Sequence, residues 1–208
     1  MNFELSIDDA QVEAMRNMVS GIKNGAETVM RNAINSTLST VQTQAVARIG
    51  NELNLTAARI KQDFWIDRAS LAKQGGGVYA KGAPIGLVSY GAKQTGSLRT
   101  HNTGDMQVKI KRAGGWKTLK HAFFAITKGG ILNVYWREYA GTRSAWNPIK
   151  AYNRMPSQFR FPLVRLTGPR IEDIYGADRV FDPVTLQAQT IFASRVEDEM
   201  NDLLRRYP

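Results

Sequence analysis

The chain has 208 residues, 43% of them hydrophobic and 22% charged, with a formal net charge of +10 and no cysteine. That is enough chain to bury a core of its own, and the missing cysteines exclude disulfides, thiol nucleophiles and thiolate metal sites together. No run nears the roughly 18 apolar residues of a membrane helix, and the acidic start "MNFELSIDDAQ" is unlike a signal peptide.

Up to about residue 53 the apolar period is helical. Val12, Met15, Val19 and Ile22 step by three and four, Gly25 interrupts, and Val29, Ile34, Leu38, Val41, Ala45 and Ile49 resume the stripe. This predicts two helices, or one bent helix, over roughly 8–52, with Met15, Met18 and Met30 as core filler. The second half, "NAINSTLSTVQTQAV", is rich in indifferent helix formers and needs packing partners.

In "NLTAARIKQDFWI", Thr56 suits the N-cap of a short helix from Ala57 to about Gln62. A helix-turn-helix would place Arg59, Lys61 and Gln62 in a DNA groove, but about two turns are too short for a recognition helix. A helical hairpin leading into a sheet is the better reading.

From Phe64 to about Val164 the period becomes two, with candidate strands at 64–69, 77–81, 84–90, 106–112, 116–126 and 132–138. The stretches 91–104 and 141–160 are long for plain connections. They are candidate subunit-contact arms, carrying Lys93, Arg99, Arg143, Trp146, Lys150 and Arg154. Near the end, Pro169 fits a first helical position and Gly176 a stop. Asp182 and Pro183 then open a terminal helix whose stripe runs Val184, Ala188, Ile191, Phe192, Val196, Met200, Leu203. The predicted architecture is α+β. It is a single domain with helices in 1–63, a basic, mostly antiparallel twisted sheet with long loops in 64–167, and C-terminal helices in 168–208 packed on the sheet or the N-terminal helices.

Charge is distributed unevenly. Residues 1–66 hold six basic and seven acidic side chains, 67–170 hold eighteen and three, and 171–208 hold four and eight. A basic middle between neutral and acidic ends fits a molecule that turns one region to a polyanion and its ends to protein, or simply a solvated basic face. The sharpest part is "QVKIKRAGGWKTLKHA" (107–122). A two-residue turn at Gly114-Gly115 would pair Arg112 with Lys117, Lys109 with Lys120 and Val108 with His121. One face of that hairpin then holds Val108, Ile110 and Leu119. The other shows Lys109, Lys111 and Lys120 beside Trp116 and Thr118. Lys109, Lys111, Arg112, Lys117 and Lys120 are therefore the candidate contacts to a phosphate backbone, sequence-independent and on duplex DNA.

Nothing resembles a catalytic constellation. His101 and His121 lack partners at metal-ligand spacing, Asp105 and Glu138 make no acid–base pair, and "GGGVYAKG" lacks the P-loop spacing. The expectation is a non-enzymatic protein with no cofactor.

Taken in order, "AINSTLSTVQTQAVARIGNELNLTAARIKQDFWIDRAS", "VKIKRAGGWKTLKHAFFA" and "FPLVRLTGPRIEDIY" with a terminal helix resemble the minor tail protein Z family of tailed bacteriophages. The resemblance covers about 30–205 and rests on order and spacing. The chain departs from the family pattern in "GTRSAWNPIKAYNRMPSQFRF", where the family passes more briefly from strand to strand. The resemblance implies a virion tail-completion or neck protein assembled in the host cytoplasm. It implies a ring of copies, with a hexamer favoured, around double-stranded DNA. It also implies contacts to a tail terminator or tail tube protein and to head connector or adaptor proteins, with no membrane. The alternative from the residues alone is a free, sequence-independent DNA-binding protein using the 107–122 ribbon.

Overall fold

The computed structural model describes residues 2–5, 13, 16–19, 21–94, 105–120, 122–126, 129–137 and 163–207. The fold is α+β, with helices α1 (Gly25–Glu52), α2 (Ala57–Lys61), α3 (Ile171–Tyr175) and α4 (Asp178–Arg206). Among the described residues the nine strands are β1 (Asn2–Leu5), β2 (Phe64–Asp67), β3 (Gly76–Ala80), β4 (Lys93–Gln94), β5 (Met106–Val108), β6 (Lys117–Leu119), β7 (Phe123–Ile126), β8 (Leu132–Arg137) and β9 (Leu163–Arg165). Every pairing is antiparallel, as the alternation predicts, but the strands form three sheets of three, ordered β1-β3-β2, β4-β5-β6 and β7-β8-β9.

The three consecutive parts read from the sequence interleave into two compact units. One comprises 1–49, 57–82 and 171–208, and the other comprises 50–56 and 83–170.

In the first unit, α1 begins where Gly25 was expected to interrupt. The residue before it, Asn24, takes a left-handed φ of 54° and accepts a 3.0 Å bond from the Thr28 amide. The poor helix formers are held by back-bonding one turn earlier. Thr37 Oγ1 donates to Ala33 O at 2.8 Å, Ser39 to Asn35 O at 2.9 Å and Thr43 to Ser39 O at 2.9 Å. Asn35 does more. Its amide nitrogen donates to Ala69 O at 3.0 Å and its carbonyl accepts from the Ala69 N–H at 2.9 Å, fixing the exit of β2 to the helix. Met30, Ile34, Leu38, Val41 and Ile49 are fully buried along the predicted stripe. Met18 is not core: it is 64% exposed, because the chain between Val19 and Gly25 turns before α1 starts.

The terminal helix α4 starts earlier than Asp182-Pro183. Val180 and Phe181 donate to Ala177 O at 2.8 and 2.9 Å, so Pro183 lies inside the helix, which forgoes the one bond that residue cannot donate. The early start is held by Phe181, whose ring meets Tyr175 edge-on at 5.8 Å, while Tyr175 meets Phe64 of β2 the same way at 5.2 Å. Beyond that contact α4 packs on the N-terminal helical layer. Half-buried Phe192, Val196, Met200 and Leu203 cover Val19, Ala26, Val29 and Met30. Likewise α3 starts at Ile171, leaving Pro169 outside it.

In the second unit, the predicted strand 84–90 is instead a bridge at Gly86 and a 3₁₀ turn over Leu87–Tyr90. Gly91 closes the turn at φ 71°, where its amide can reach back to Val88 O. Tyr90 is fully buried, and its hydroxyl donates to Pro169 O at 3.2 Å. The Gly168 amide donates to Ile85 O at 2.7 Å, and a Cβ at Gly168 would lie 2.5–2.9 Å from two ring carbons and the hydroxyl oxygen of Tyr90. This turn therefore admits only glycine.

Candidate nucleic-acid interface

The ribbon 107–122 pairs in a different register from the one its Gly-Gly pair implies. Met106 faces Leu119, Gln107 faces Thr118 and Val108 faces Lys117, a slide of four residues that leaves 109–116 outside the ladder. Neither Gly114 nor Gly115 takes positive φ, and the chain turns through a 3.1 Å bond from the Gly114 amide to Lys111 O. The cause lies at the end of α1, whose last carbonyls have no partner within the helix. Arg112 N–H donates to Glu52 O at 2.8 Å, Asn54 N–H donates to Ile110 O at 2.8 Å, and Leu53 and Lys111 form a bridge. The backbone of 110–112 thus completes the helix terminus instead of extending the hairpin. The slide also removes the expected Lys109–Lys120 apposition, which would set like charges face to face.

Because the slide is an even number, the side chains still in the ladder, 107–108 and 117–119, keep their predicted faces. Met106 and Val108 are buried, at 0% and 1% exposure, and Leu119 is half-buried. The other face of the β4-β5-β6 sheet is open. Across it Lys93, Gln107 and Thr118 stand in one row, with Trp116 and Lys120 to either side of Thr118 along the chain. Lys93, Thr118 and Lys120 are exposed, Gln107 is half-buried and Trp116 is 45% exposed. The ammonium of Lys93 sits 4.0 Å from the centroid of the Trp116 ring, a cation–π contact.

The predicted contact residues divide accordingly. Lys111, Arg112, Lys117 and Lys120 are exposed, whereas Lys109 is half-buried. Arg112 also has a structural task, its guanidinium donating to Leu55 O at 3.4 Å. Lys117, opposite buried Val108, lies at the margin of the core-side face. Lys93, first grouped with the candidate arms, is brought into the ribbon's face by β4. Arg99, Arg143, Trp146, Lys150, Arg154 and His121 lie outside the described residues. Sequence reasoning missed the Lys93–Trp116 pair because β4 has only two residues, too few to show alternation.

Charge follows the units more sharply than it follows the sequence. The spans of the second unit contain fifteen basic and three acidic residues, a net of +12, while those of the first contain thirteen and fifteen, a net of −2. Among the described residues, no three His, Asp or Glu side chains cluster closely enough to hold a metal ion, and no helix is long and apolar enough to cross a membrane. Comparison with protein-family models, curated proteins and solved structures returns no match.

Proposed function

We propose that this chain is a non-enzymatic structural protein of a tailed-phage virion, a tail-completion or neck component at the head–tail junction. In this reading copies form a ring around the DNA path, with the basic unit turned to the DNA. The observation that carries the DNA contact is the net +12 on the spans of the second unit, whose open sheet face shows Lys93 and Lys120 around Trp116. A surface of that composition neutralises phosphates by charge and reach, without reading bases. What supports the head–tail location is the ordered resemblance to the minor tail protein Z family. The neutral-to-acidic first unit leaves a surface suited to protein neighbours, namely other copies, a tail terminator or tube protein, and a head connector.

Reconstruction of particles by electron microscopy, alongside particles lacking this chain, tests the reading. The expected result is ring density at the head–tail junction that disappears with the chain, together with loss of infectivity restored by supplying it. Absence of the chain from purified particles would overturn the proposal and favour a free DNA-binding protein using the same face.

A further inference from the structure

We infer that Lys93 and Trp116 form a preorganised contact for one phosphate of duplex nucleic acid, with Trp116 as a positioning residue and Lys93 as the group that meets the anion. This rests on the nucleic-acid reading above and adds its site and substrate class.

A lysine on an exposed strand normally samples many rotamers, and ordering it on a phosphate costs conformational entropy. Here the ammonium already lies 4.0 Å from the indole centroid, on the open face of the sheet. The contact satisfies the cation with a ring quadrupole rather than with a carboxylate, so its charge is held in place but not neutralised. An ion pair would have cancelled the field that attracts phosphate. Lys120, exposed just past the end of β6, is a further cation close by in the chain.

The geometry also favours duplex over single strand. Single-strand binders stack successive bases on several aromatic side chains. Among the described residues of this face Trp116 is the aromatic one, and Lys93 lies over its ring. What remains is a flat, cationic surface without a stacking platform, suited to the regular phosphates of a double helix.

Fluorescence anisotropy of the full-length chain on a labelled random-sequence duplex of about 30 base pairs, and on a single strand of equal length, tests this across a salt series. Lys93→Gln should lower the magnitude of the log–log salt slope by about 0.9 and weaken duplex binding about eightfold at 0.1 M salt. Trp116→Leu should leave the slope unchanged, since the cation remains, yet weaken binding about two- to fivefold. The double variant should bind no worse than Lys93→Gln alone, and Lys93→Arg, which stacks on indole and keeps its charge, should restore binding. An unchanged slope in Lys93→Gln, additive losses in the double variant, or a larger effect of Trp116→Leu on single strand than on duplex would each overturn the inference while leaving the nucleic-acid reading intact. A wild-type chain that does not bind duplex in a salt-dependent way sinks both.

Discussion

Replacing Gly168 by alanine should destabilise the turn of the second unit that packs on Tyr90. The added Cβ would lie 2.5, 2.8 and 2.9 Å from Cε2, Cζ and the hydroxyl oxygen of Tyr90, all well inside contact distance. A flexible side chain could swing away, but Tyr90 is fully buried and its hydroxyl is tied to Pro169 O at 3.2 Å. Nor can the backbone retreat cheaply, because the Gly168 amide holds Ile85 O at 2.7 Å. Overpacking of this kind costs about 1–3 kcal/mol, and the rigid neighbours place Gly168→Ala at the upper end, near 3 kcal/mol. Urea unfolding followed by fluorescence should show a lower midpoint with an unchanged slope. Tyr90→Leu removes the ring atoms that clash, so adding it to Gly168→Ala should cost less than the sum of the two single changes by about 1 kcal/mol or more. A neutral Gly168→Ala, or strictly additive costs, would refute the packing argument.

Three further outcomes follow from the first unit. Ile34→Ala, deep in the α1 stripe with 0% exposure, should cost about 2–5 kcal/mol by the same unfolding assay. Phe192→Ala should cost only about 2 kcal/mol, short of the 3–5 kcal/mol of a fully buried ring, because Phe192 covers the Val19–Met30 cluster from a half-buried position. Burial pushes the Tyr175 phenol up to about 12, and its buried hydroxyl has no hydrogen-bond partner among the described residues. The neutral form is the one the fold accepts, so the stability it contributes is complete below pH 10 and is lost as pH rises from about 10 toward 12. Tyr175→Phe should flatten that alkaline loss, and at neutral pH it should be neutral or stabilising by up to about 1 kcal/mol.

What could be read from the sequence was what depends on local period. The α1 stripe, the Thr56–Ala57 start of α2, the antiparallel β region and the core-facing side of the ribbon at Val108 all follow from spacing alone. What could not be read depends on where backbone groups find partners across the chain. Gly114-Gly115 is a strong local signal for a tight hairpin, yet the C-terminal end of α1 takes the backbone of 110–112 and moves the register by four. Asp182-Pro183 is likewise a good local start, overridden by the edge-on contact of Phe181 with Tyr175 that brings the helix back to Asp178. The parity of the ribbon survived because an odd slide would have turned Val108 out and Lys109 into the core. Burial thus fixed the faces where turn chemistry did not fix the register.

The claim that matters most is that the exposed lysines of this ribbon meet a phosphate backbone. The salt dependence of duplex binding, measured for the wild-type chain and for a Lys111→Gln, Lys120→Gln double variant, tests it most directly. Both side chains are exposed, so the variant should fold as the wild type does. If each lysine contacts a phosphate, the slope should fall in magnitude by about 1.8, the sum of two contacts at about 0.9 each. Equal slopes for the two proteins would contradict the account and leave the lysines as a solvated face of an ordinary sheet.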